Sequence, residues 1–154
     1  MNYKDLCNDL IAITEGVPYK TANLANASAL LYDRLGNINW AGFYLLEDSS
    51  LLVLGPFQGK PACIEIPIGR GVCGAAASLM QTVVVDNVHN FQGHIACDSA
   101  SNSEIVVPLI KDGVLLGVLV PQLQCDVLCG GSSAFSQCDC RQQANDQTQS
   151  QDKA

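Results

Sequence analysis

Eight cysteines lie in a chain of 154 residues, at Cys7, Cys63, Cys73, Cys97, Cys125, Cys129, Cys138 and Cys140. A thiol becomes a nucleophile only when it is accessible and its thiolate is favoured by nearby donors, positive charge or a helix start. Cys97 sits at the centre of a polar run of small residues, Gly93-His94-Ile95-Ala96-Cys97-Asp98-Ser99-Ala100-Ser101-Asn102-Ser103-Glu104, just ahead of the apolar stretch Ile105-Val106-Val107-Pro108. Such a loop offers hydroxyls and an imidazole, which a buried core strand does not. On composition alone, an activated thiol and an inert, small apolar cysteine account for it equally well. A secreted disulfide framework is the other use of many cysteines, but Met1-Asn2-Tyr3-Lys4-Asp5 leads into no uninterrupted apolar signal segment. A cytoplasmic location is therefore expected, where the thiols that matter are catalytic, redox-active or metal-bound.

The run Gly69-Arg70-Gly71-Val72-Cys73-Gly74 is a literal GxGxxG between a strand-like stretch and a short helix, with Asp86 closing the next apolar run. In a doubly wound fold this would be a dinucleotide-binding fingerprint. Three details oppose it. Ile64-Glu65-Ile66 alternates and is followed by Pro67, which does not suit a buried parallel strand; the helix is too short; and no second βαβ half follows. A glycine-rich turn that leads the chain tightly into a helix is the simpler account. Cys125-x3-Cys129 and Cys138-x-Cys140 depart from the CxxC pairs of zinc sites, so no metal is expected.

Leu6, Leu10 and Ile13, then Leu24, Ala27, Leu30, Leu31 and Leu35 between Pro18 and Gly36, recur at helical spacing and predict two N-terminal helices. From Trp40 the pattern turns to strands, expected over 40–46, 51–54, 64–68, 83–85, 105–110 and 114–120, with a tight hairpin at Lys111-Asp112-Gly113. An alanine-rich helix is expected over 72–80. The outcome is an α+β domain with a central, largely antiparallel sheet and helices packed on one face.

Charge narrows the partners. With 8 basic against 15 acidic residues the net charge is −7 and the pI near 4.5, which opposes phosphate backbones and anionic membrane surfaces. No nucleic acid and no membrane partner is expected, and no apolar run approaches the ~20 residues that cross a bilayer. A hydrophobic content of 48% supports one domain with a proper core, expected over 1–120. At Pro121 the character changes: residues 121–154 hold eight glutamines, four cysteines and one aromatic, against three glutamines in all that precedes. That segment has no apolar period and the composition of a disordered tail. The strand expected over 114–120 also runs straight into Pro121, which donates no ladder hydrogen bond.

Several separated blocks resemble the free methionine-(R)-sulfoxide reductases, a family built on a GAF domain. They are Asn39-Trp40-Ala41-Gly42-Phe43-Tyr44-Leu45, Gly69 to Gly74, Val83-Val84-Val85-Asp86-Asn87-Val88, and the run from Gly93 through Cys97 and Glu104 to Pro108. The likeness spans roughly residues 2–119. It implies a GAF-like fold and an oxidoreductase that turns free L-methionine (R)-S-oxide into L-methionine with no metal and no organic cofactor. In that family a cysteine attacks the sulfoxide sulfur, releases methionine and is left as a sulfenic acid, which condenses with a second thiol to an intramolecular disulfide. The resemblance puts the attack on Cys97 and the resolution on Cys63 or Cys73, leaning to Cys63, with strongly reducing thioredoxin as the recycling partner. Glu104 matches the acidic residue that serves the departing oxygen, and burial would keep it neutral and donating. Without the resemblance, an exposed glutamate is the simpler account. Trp40 and Tyr44 match the residues that line the methyl-sulfoxide end of the pocket; otherwise they are core aromatics. A homodimer through helices is an expectation by analogy alone.

The resemblance stops after Leu119. There the family continues into an Asp-Ile-Asp element, a serine and an amphipathic helix, where this chain has Val120-Pro121-Gln122. Those carboxylates are thought to hold the substrate's α-ammonium and help polarise the sulfoxide, so impaired activity is expected of this chain. A shifted reading frame after about Leu119 accounts for the abrupt change, and translating the other two frames of the gene tests it. Two rivals stand beside the enzyme. One is a non-catalytic GAF module that binds a small ligand, in which Cys97 would form no disulfide with Cys63 or Cys73 on exposure to the sulfoxide. The other is a non-functional truncated product, which would be insoluble or rapidly degraded.

Overall fold

The computed structural model of the chain describes residues 2–91 and 102–123. Helix α1 (Tyr3–Thr14) starts where the Asn2 side chain accepts a hydrogen bond from the Lys4 amide at 3.0 Å, satisfying one of the amides that a first turn leaves unpaired. Helix α2 (Lys20–Arg34) follows Pro18. Leu6 of α1 and Leu31 of α2 bury together against Ala41. Ser28, fully buried in α2, lies 2.8 Å from its own helix's Leu24 carbonyl and 3.0 Å from that of Pro56, tying the helix to the sheet.

The strands are β1 (Ile38–Asp48), β2 (Leu51–Gly59), β3 (Glu65–Pro67), β4 (Val83–Val85), β5 (Ser103–Lys111) and β6 (Val114–Leu123). Helix α3 (Gly71–Leu79) links β3 to β4, and a single 3-10 turn (Val88–Asn90) follows β4. The order across the sheet is β3-β2-β1-β6-β5-β4, and every neighbouring pair runs antiparallel. The α+β class and the antiparallel sheet are those expected.

The helices, however, divide between the faces instead of sharing one. Neighbouring residues of a strand point to opposite sides. Ala41 and Leu119 pack with α1 and α2, whereas Trp40, Tyr44, Val118 and Val120 pack with Val72, Cys73, Ala76 and Ala77 of α3. A helix's period says that it has an apolar stripe, not which side of the sheet its connections carry it to.

Strand β6 is longer than expected. It continues through Pro121 to Leu123, pairing Ala41 with Pro121 and Ile38 with Leu123 on one side and Glu104 with Gln122 on the other. The rest of the expected tail, with Cys125, Cys129, Cys138 and Cys140, lies outside the described residues.

Candidate active site

On the α3 face a pocket opens between four strands and the start of the helix. It is lined by Tyr44 of β1, Ile66 of β3, Gly71, Val72 and Cys73 of α3, Glu104 of β5 and Gln122 of β6. The glycine motif shapes its floor. Gly69 and Gly71 adopt φ of 82° and 61°, angles that residues with a Cβ rarely take, and the Gly69 amide donates to the Gly74 carbonyl at 2.8 Å. The motif is therefore a tight turn into a short helix, not part of a parallel dinucleotide-binding sheet. It delivers Cys73 into the pocket one turn later.

Glu104 is 3% exposed and Cys73 6% exposed. The Cys73 thiol donates to Glu104 Oε1 at 3.5 Å. Burial pushes the Glu104 carboxyl above the ordinary carboxylate range, partly offset by hydrogen bonds from Cys73 and Gln122. Burial also pushes the Cys73 thiol well up, and the charge of an ionised Glu104 beside it adds to the effect. The Tyr44 phenol is raised for the same reason, burial first and then Cys73 and Glu104. Three ionisable groups that disfavour charge share one water-poor pocket. Such a place favours the protonated form of each group over its charged form.

The aromatic wall has two layers. Tyr44 lines the pocket and donates to the Cys63 carbonyl at 2.9 Å. Trp40 stands behind it, with ring centroids 6.0 Å apart and planes 25° apart, and is itself stacked on Phe57 at 5.2 Å and 15°. Its indole N–H donates to the Lys60 carbonyl at 3.1 Å. Tyr44 is thus the wall, and Trp40 its support. Both hold the segment between β2 and β3 that carries Cys63.

Cys63 is disulfide-bonded. Cys7 and Cys73 are free thiols, so its partner lies outside the described residues, as does Cys97. The structure therefore brings Tyr44, Cys73 and Glu104 together, with Trp40 and Cys63 in the adjoining layer. Gln122 was not foreseen as a member of the site. The signal for it was the alternation Val118, Val120, Gln122, which puts all three on the pocket's face once β6 is allowed to pass Pro121. Among the described residues, no group of three His, Cys, Asp or Glu side chains could hold a metal, and no helix is long and apolar enough to cross a membrane.

The GAF domain family model matches residues 13–142. The Escherichia coli K12 protein named free methionine-R-sulfoxide reductase is 60% identical over 117 residues, which cover 76% of this chain and 70% of that protein. The Saccharomyces cerevisiae protein of the same name is 45% identical over 130 residues, covering 77% of this chain and 72% of its own. A solved structure of Staphylococcus aureus fRMsr in complex with substrate superposes with a TM-score of 0.77 at 51% identity, covering 82% of each chain. A buried acid beside a thiol sits within this shared span, and the chain belongs to the free methionine-R-sulfoxide reductase family.

Proposed function

We propose that the protein reduces free methionine (R)-sulfoxide to methionine in the cytoplasm, with Cys97 as nucleophile, Cys63 as resolving thiol, Glu104 as proton donor and thioredoxin as reductant. The Cys97 sulfur attacks the sulfoxide sulfur, the sulfur–oxygen bond of the substrate breaks, and the oxygen passes to Cys97 as a sulfenic acid while methionine leaves. The thiol of Cys63 then attacks the sulfenic sulfur. A disulfide forms, water departs, and a dithiol restores both cysteines.

The observation that carries this reading is the division of labour among the described cysteines: Cys63 is already engaged in a disulfide, while Cys73 is a free, buried thiol against Glu104. Cys73 is thereby disfavoured as the resolving thiol, since attack needs a thiolate and its surroundings oppose one. Glu104, whose burial raises its carboxyl above the ordinary range and so favours the protonated form, suits an oxygen that gains negative charge as its bond to sulfur breaks. Tyr44 lends the pocket an apolar wall for the methyl end of the substrate.

Purified protein mixed with separate R and S forms of the free amino acid and a thioredoxin system tests the assignment. Turnover of free R alone is expected. Cys97→Ser abolishes it, whereas Cys63→Ser allows a single turnover and leaves a sulfenic acid that dimedone traps. Turnover of S, or of peptide-bound sulfoxide in preference to free R, defeats the reading.

One observation favours a non-catalytic binding module: the side chain facing Glu104 across β5 and β6 is the neutral amide of Gln122. Sulfoxide binding without a Cys63 disulfide cycle would establish that alternative.

A further inference from the structure

Val118, Val120 and Gln122 alternate onto one face of β6, and both valines are fully buried in the core beneath α3. Gln122 is the polar exception, 9% exposed and set in the pocket wall. A carboxamide taken out of water destabilises the fold unless its groups find partners. Gln122 stands directly opposite Glu104 in the β5–β6 register, and its side chain is hydrogen-bonded to the Glu104 carboxyl. From the other side the Cys73 thiol donates to the same carboxyl. One donor comes from a strand and one from a helix, so the acid is held at two points by elements that cannot move independently of the core.

We propose that Gln122 is a positioning residue, whose amide fixes the Glu104 carboxyl toward Cys73 and the open pocket. A valine here would continue the core stripe of β6 and leave the carboxyl free to swing on its flexible stem. A second carboxyl here would share a proton with Glu104, and the two would titrate as a coupled pair. An amide donates without ionising. Glu104 therefore has a single ionisation step, faced by the titratable Tyr44 of β1 and Cys73 of α3, while Asp86 and His89 beyond β4 are exposed.

The consequence for turnover rests on Glu104 being the proton donor of the proposed reduction; the positioning itself does not. Both can be measured on the full chain carrying 13C-labelled glutamate and 15N-labelled glutamine. In the unaltered protein the Gln122 side-chain amide resonances should follow the Glu104 carboxyl resonance through a single transition. Gln122→Met, which keeps length and removes the donor, should raise the Glu104 midpoint by about one pH unit and lower kcat with KM little changed. Gln122→Glu should split the transition into two steps. An amide that stays flat through the Glu104 transition overturns the proposal, and this measurement needs no variant to fold. A Met variant with an unmoved midpoint overturns it equally. If the amide and carboxyl titrate together in a protein that does not reduce the sulfoxide, the functional reading fails and the positioning stands.

Discussion

The Tyr44 hydroxyl donates a 2.9 Å hydrogen bond to the backbone carbonyl of Cys63, so the pocket wall and the proposed resolving thiol are fixed to one another. The carbonyls on either side are held as well: Lys60 by the Trp40 indole at 3.1 Å, and Ile64 by the Leu54 amide at 2.9 Å. The segment that must present a thiol is thus pinned along its length. Tyr44→Phe keeps the ring and removes one pin, a loss of about 1 kcal/mol. Formation of the disulfide after a single addition of sulfoxide should slow about fivefold, read by quenching with an alkylating agent. An unchanged rate would mean that the hydrogen bond does not position the thiol.

Stability should fall as pH rises through the Glu104 transition. Unfolded, this carboxyl loses its proton near 4.5, whereas burial keeps it protonated to higher pH in the fold. Between those two values the native state binds more protons than the unfolded one. The contribution is therefore fully present below 4.5 and is lost as pH rises past the native pKa. Glu104→Gln removes this slope while keeping the shape. Urea midpoints at acidic and neutral pH should converge in the variant, and an equal slope in both proteins would rule out the account.

Much of the frame was legible in the sequence, because alternation and helical spacing are local signals. The exceptions have physical causes. The strand expected over 51–54 runs on to Gly59, because Gly55 and Pro56 form a bulge opposite Phe43, between the Gly42–Phe57 and Tyr44–Leu54 pairs, and pairing resumes beyond it. Pro121 read as a strand terminator, yet β6 crosses it with the Glu104–Gln122 pair beyond. That single misjudged boundary hid Gln122 from view. Cys63, Cys73 and Glu104 were singled out only through the resemblance, and no spacing tells that Cys73 meets Glu104 across the fold, or that α3 takes the face opposite α1 and α2.

Thiol reagents should separate sharply the two free cysteines among the described residues. Cys7 is exposed on α1, whereas Cys73 is buried, and burial and Glu104 both disfavour its thiolate. Iodoacetamide at neutral pH should label Cys7 rapidly. Cys73 should react only as the domain opens, so its rate should rise with urea while that of Cys7 barely changes. Rapid labelling of Cys73 in the native protein would show that the pocket admits water freely, and would reopen its candidacy as a resolving thiol.

Gly42 is where the aromatic wall meets the backbone of β1. A Cβ at this position would lie 2.7 Å from Trp40 Cη2 and 2.8 Å from Phe57 Cα, inside any real contact. The tip of the indole could give way only by leaving its stack on Phe57, and the backbone at Phe57 could not give way cheaply at all. Gly42→Ala is therefore expected to destabilise the domain by about 1–3 kcal/mol. Gly36→Ala is the matched control, since a Cβ there meets nothing within 4 Å, and it should change stability by a few tenths of a kcal/mol at most. Because Trp40 also supports Tyr44 and holds Lys60, Gly42→Ala should slow disulfide formation even at temperatures where the variant is fully folded. Denaturant unfolding of both variants, followed by single-turnover assays well below their transitions, separates the two effects; equal behaviour of the two alanines would show that the wall tolerates displacement of Trp40.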